Sequence, residues 1–200
     1  MASASSTFDG SENPLSEAGL WTSGPGSYGD CQKVGGRARA TASAQDDAAR
    51  LVTPPIGDIQ FSEATSFYSN VGASRWTGVM TRMPSATEAD SYIWAGSHSL
   101  GNHQVFRCDD PGFVFTQLGA TIAVAPVSGD VLRMESNGST HSVFINGVLQ
   151  TTRTDATYTS GQPAIEFYAT TVSDAELDNW SGGDLASDEL ISSRLLLSVP

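Results

Sequence analysis

Acids, aromatics and three histidines are the residues of this chain whose types and spacing suit chemistry. Retaining cleavage of a glycosidic bond needs two carboxylates about 5 Å apart. The stretch "DAELD" sets Asp174, Glu176 and Asp178 at alternate positions, so a strand would show all three on one face. "EAD" at 88 to 90 crowds its acids within turn-forming sequence. His98 and His103 flank "SLGN", and His141 lies far along the chain. Zinc needs four donors in reach, and only Asp109 and Asp110 offer themselves nearby. No GxSxG motif places a nucleophilic serine. The expectation is therefore no catalytic residue and no enzyme. For binding, Tyr92 and Trp94 share one strand face, with Trp76, His98 and His103 as neighbours. Such aromatics with a polar rim suit a sugar; the competing role is core packing.

The elements that would position these residues are strands. Segments rich in β-branched and aromatic residues recur at intervals of roughly 8 to 12 residues with turn signals between, the pattern of an all-β sandwich or barrel. Asn137-Gly138 and Asn146-Gly147 are strong hairpin signals, because a type I′ turn needs positive φ at both central residues. Turning at the first pair sets Ser136 opposite Ser139 and Met134 opposite His141; turning at the second sets Ile145 opposite Val148. One face then gathers Leu132, Met134, Val143, Ile145 and Val148. The other gathers Val131, Arg133, Ser142, Phe144 and Leu149, so both faces are partly apolar. No convincing helix precedes residue 186, though 87–90 and 173–176 are short enough for single helical turns.

The chain has 200 residues, 39% of them hydrophobic and 16% charged, enough apolar material for one good-sized β domain. Its net charge of −12 argues against nucleic acid as a partner and against an anionic membrane surface. It fits a solvated surface, a cation site or a basic partner. Cys31 and Cys108 form no CxxC motif; they are read as two buried thiols, with one disulfide as the alternative. No stretch is long and apolar enough for a transmembrane helix, and "MASASSTFDGSEN" lacks the features of a signal peptide.

Residues 1–7 are expected as a short flexible arm, 8–185 as one domain, and 186–200 as a tail. In the tail, Leu190, Ile191, Leu195, Leu196 and Leu197 belong either to a short helix capped by Asp188 or to a strand "RLLLSV". These apolar residues need cover, from the chain's own domain or from a neighbouring subunit.

"FDGSENPLSEAGLW" resembles the opening of concanavalin A-like, laminin-G-like jelly rolls. "GDVLRMESNGSTHSVFINGVLQTTRTDATYTSGQPAIEFY" is similar to their most recognisable stretch, and "DNWSGGDL" to their closing strand. The resemblance covers roughly residues 8–185. It implies two antiparallel sheets packed face to face, with an outer face often used for ligands. It also implies that the first and last strands lie together, bringing Asp9 near Asp178 and Asn179. Those oxygens suit structural calcium, while the plainer role of Asp9 and Asn179 is capping turns. No other cofactor is expected.

The fold hosts lectins, glycosidases, lyases and virion proteins, so it does not fix function. Lyases of this fold use an Arg, a Gln-His pair and a Tyr, and "NHQVFR" reverses the Gln-His order. The expectation is a structural or binding protein, foremost a phage virion surface component such as a capsid decoration or tail fibre. Its partners would be other virion proteins or copies of itself in a homo-oligomer. A carbohydrate-binding module or adhesin contacting surface glycans is the alternative, and a polysaccharide-active enzyme the weaker one.

Overall fold

The computed structural model describes residues 1–69, 74–85, 87–97 and 100–186. Sixteen strands follow in chain order: β1 (Ser3–Ser6), β2 (Ser11–Glu12), β3 (Trp21–Ser23), β4 (Cys31–Val34), β5 (Ala38–Ala40), β6 (Asp46–Leu51), β7 (Gln60–Tyr68) and β8 (Arg75–Met83). Then come β9 (Ser91–Ser97), β10 (Asn102–Asp109), β11 (Val114–Gln117), β12 (Val131–Asn137), β13 (Thr140–Ile145), β14 (Val148–Thr154), β15 (Gln162–Ala169) and β16 (Ala175–Asp184). Among the described residues the only helix is one 3-10 turn, Val172–Asp174. The strands form two antiparallel sheets, one of nine strands with the order β14-β13-β12-β7-β16-β5-β4-β2 and β1 added beside β16, the other of seven with the order β11-β10-β9-β8-β15-β6-β3. This is the jelly-roll sandwich expected from the sequence.

The hydrophobic interior lies between the sheets. Phe8, Trp21, Trp94 and Trp180 are nearly or fully buried there with Leu132, Met134, Val143, Ile165 and Phe167. Trp21 meets Trp180 edge to face at 4.5 Å between ring centres, and the Trp180 indole N–H donates to Ser62 Oγ at 3.0 Å. A buried indole is held this way because its polar end still needs a partner.

The second hairpin turns as expected. Asn146 and Gly147 have φ of 51° and 76°, and Ile145 pairs with Val148. The first turns one residue later. Asn137 pairs with Thr140 and Met134 with Val143, so Gly138-Ser139 is the loop. Positive φ is found there only at Gly138, at 56°, and Asn137 stays in the strand. The shift is even in register, so Leu132, Met134, Val143 and Ile145 still share the buried face. Val148 does not join them; it is exposed on edge strand β14.

The opening residues are not a loose arm. Ser3–Ser6 pair with Gly183–Trp180, because extending β16 satisfies their backbone groups. Cys31 and Cys108 are both free and buried. The tail residues Leu190, Ile191, Leu195, Leu196 and Leu197 lie outside the described residues.

A polar chain joins the two sheets through the interior. Thr81 Oγ1 and Ser136 Oγ are 2.7 Å apart, Ser136 Oγ is 2.8 Å from His141 Nδ1, and His141 Nε2 is 3.1 Å from the Asp155 carbonyl. A carbonyl only accepts, so the imidazole proton is on Nε2. Nδ1 then accepts from Ser136, and Ser136 from Thr81. Burial lowers the His141 pKa to about 4, which keeps the ring in this neutral form.

Candidate functional site

Cross-strand register builds a hollow on the outer face of the seven-stranded sheet. Glu166 on β15 pairs with Ala48 on β6 and Gly78 on β8. Gly78 pairs with Ala95 on β9, and Ala95 with Gln104 on β10. One row across the sheet is therefore Ala48, Glu166, Gly78, Ala95, Gln104. Three of its five side chains are minimal, so this row forms a floor. The adjoining rows are bulky. On one side Tyr168 pairs with Trp76, and their rings stack at 4.2 Å with 11° between planes. On the other side Ile93 pairs with Phe106, and Phe106 meets Phe115 edge to face at 6.2 Å. Low floor and tall walls leave a hollow of about 220 Å³, bordered also by Asp46 and Leu100.

Gly78 keeps the floor low. A Cβ there would lie 3.0 Å from Ile93 Cγ2 and 3.1 Å from Glu166 Oε2.

Two carboxyls meet at one end of the floor. Glu166 is 1% exposed and accepts the Trp76 indole N–H at 3.0 Å. Asp46 and Glu166 both line the hollow, close enough for each to act on the other's ionisation. Burial, then the charge of Asp46, raises Glu166 well above the carboxylate range. Burial pushes Asp46 up to about 6. Oδ1 of Asp46 is buried with no other donor, so a proton shared with Glu166 is the one available to it. Like charges this close do not both ionise readily.

The residues singled out in the sequence divide sharply. Trp76 lines the hollow. Tyr92 and Trp94 do share a strand face, but it is the inward one; both are 0% exposed and belong to the core between the sheets. No ligand ring can stack on them there. His103 is also fully buried, packed on Trp94 at 4.9 Å with Nδ1 2.8 Å from the Val124 carbonyl. His98 lies outside the described residues.

The "DAELD" acids are each engaged with other partners. Asp174 pairs with buried Arg75 at 3.6 Å, and Glu176 bridges Arg37 and Arg39 at 3.0 and 3.3 Å. As for calcium, the first and last strands do pair. Asp9, however, is exposed and takes the Thr7 hydroxyl at 2.8 Å, while Asp178 takes the Asn179 amide at 2.7 Å. Those are turn-capping contacts. Among the described residues no group of three or more His, Cys, Asp or Glu side chains gathers for a metal.

Asp46, Glu166, Gln104, Phe106, Phe115 and Tyr168 were not picked out from the sequence. One signal was present: Glu166 is the single acid within the apolar strand "PAIEFYATT".

No family model matches the chain, and no curated protein does. Solved structures match over most of its length. The carbohydrate-binding module CBM66 from Bacillus subtilis aligns at 13% identity and a TM-score of 0.60, covering 82% of this chain and 92% of that one. A β-glucanase from Bacillus licheniformis aligns at 12% identity and 0.59, covering 93% and 99%. A Bacillus subtilis protein of unknown function with a galectin-like fold aligns at 11% identity and 0.54, covering 86% and 94%. Strand content, sheet order and these alignments together make the chain a two-sheet jelly-roll sandwich of the concanavalin A-like kind.

Proposed function

We propose that this domain is a non-catalytic carbohydrate-binding module whose ligand seats in the hollow on the outer face of the seven-stranded sheet. The observation that carries the proposal is the hollow itself, with aromatic and aliphatic walls beside a floor that holds buried hydrogen-bonding groups, the usual composition of a saccharide site. Trp76 and Phe106 offer apolar faces to a sugar ring, and Gln104 and the carboxyl pair offer partners to its hydroxyls. A hollow of about 220 Å³ suits one sugar unit of a longer chain. The carbohydrate-binding module and the β-glucanase that share the fold support the same substrate class.

Binding is favoured over cleavage by the spacing of the acids. Glycosidases hold their two carboxyls about 5 Å or more apart, with the scissile bond between them. Asp46 and Glu166 sit together at one end of the hollow and act on each other's ionisation, rather than flanking it from opposite sides. A virion surface role would concern where the domain is mounted rather than what it touches; its support is an acidic jelly-roll sequence of low charge density with ends suited to docking.

The test is a glycan and polysaccharide binding screen followed by calorimetry on Trp76→Ala and Phe106→Ala. A bound glycan whose affinity falls at least about tenfold in each variant, as removal of a binding hot spot would give, with unchanged circular dichroism, is the expected result. Glycan binding that survives both substitutions overturns the assignment.

A further inference from the structure

The carboxyl pair narrows the ligand, given the saccharide reading above. We infer that the hollow selects a sugar unit bearing a primary ammonium, a 2-amino-2-deoxy sugar with a free amine, held by Asp46 and Glu166 against the Trp76 ring. Among the described residues, no Lys or Arg forms an ion pair with either acid. The cations on the same and adjoining strands are committed elsewhere. Arg50, on β6, donates to the carbonyls of Met83, Leu51 and Pro84. Arg75, on β8, pairs with Asp174 on the inward side, and Arg82, on the same strand, donates to the carbonyls of Tyr158 and Asp58. Arg107, on β10, pairs with Asp109 and Asp155. The other ionisable groups that act on Glu166 or Asp46 bring no positive charge: they are Asp47, Tyr28, Cys31 and Cys108.

A proton is thus what lets two acids lie together in an apolar wall, and a ligand cation can take its place. The exchange balances without chemistry on the sugar. The ammonium stays protonated, the pair loses its shared proton to solvent, and two carboxylates then face one cation. The aromatic wall adds to the selection, since ammonium groups are attracted to indole faces. An N-acetylated or hydroxyl sugar brings no charge and cannot displace the proton.

The test compares tetrasaccharides of glucosamine and of N-acetylglucosamine by calorimetry at pH 5 and pH 7, in buffers of different ionisation enthalpy. The expected result is at least tenfold tighter binding of the amine form at pH 7, release of protons on binding, and weaker binding at pH 5. The net charge of −12 attracts any polycation, so the control is Asp46→Asn/Glu166→Gln, which keeps nearly all of that charge. The preference should vanish in this variant. A preference that persists there, or equal affinity of the wild type for both tetrasaccharides, overturns the inference and leaves the saccharide reading standing. Failure to bind these or any neutral glycan overturns both.

Discussion

Trp76 on β8 donates its indole N–H to Glu166 on β15 at 3.0 Å, and that one bond ties the wall of the hollow to its floor. It also opposes the effect of burial on the carboxyl, pulling the Glu166 pKa down. Trp76→Phe should keep a ring in the wall and lose the donor. Hydrogen bonds to charged groups are worth roughly 1.5–3 kcal/mol, or about one to two pH units at about 1.4 kcal/mol per unit. The Glu166 midpoint, followed by carbon NMR of its carboxyl, should rise by that order. A midpoint that stays put or falls would show that the indole does not act on the acid.

The acid pair should leave a mark on stability. Both carboxyls hold protons to higher pH when folded than when unfolded. Their contribution is therefore complete below about pH 4. It is lost as pH rises through about 6 for Asp46 and higher for Glu166. Asp46→Asn/Glu166→Gln removes this loss. The variant should gain on the wild type progressively between pH 4 and 8. His141, lowered to about 4, acts the opposite way over part of this range. It is present in both proteins and cancels in the difference between their urea midpoints. A difference that is flat with pH would mean the acids do not share a proton.

How far the sequence reveals this site depends on the kind of information required. The Asn146-Gly147 turn is local, because φ at two residues decides it, and it forms as read. Alternation correctly placed Tyr92 and Trp94 on one face, yet could not say which face points inward. The strand "SYIWAG" is apolar on both sides. The bulkier pair fills the space between the sheets, and Ile93 and Ala95 are left to the hollow. The site itself is a product of register among five strands, β6, β15, β8, β9 and β10. No local pattern encodes which small residues line up across them. Ala48, Gly78 and Ala95 look unremarked in isolation and form a floor only when paired.

Gly78 offers a way to narrow the hollow from its floor. Its missing side chain faces outward, where a Cβ would crowd Ile93 and Glu166. Gly78→Ala narrows the floor, and Gly78→Val fills it. Overpacking typically costs about 1–3 kcal/mol, and most of that should fall on Gly78→Val. Glycan affinity should drop in both variants, more steeply for Val, while thermal melting stays cooperative. Undiminished affinity in Gly78→Val would place the ligand elsewhere on the domain.

The chain Thr81, Ser136, His141 makes a separate claim on stability, from inside the sandwich. Ser136 accepts from Thr81 and donates to His141 Nδ1, and all three residues are fully buried. Ser136→Ala strands one donor and one acceptor away from water, at a cost of about 1–3 kcal/mol each. Thr81→Val alone leaves Ser136 still able to donate to His141, so it should cost less. In the double variant Thr81→Val removes the donor that Ser136→Ala had stranded, so its effect should be smaller than in the wild type and could even be favourable. Urea midpoints at constant slope for the four proteins of this cycle measure the coupling. Additive effects would mean that the two hydroxyls lie together without exchanging a hydrogen bond.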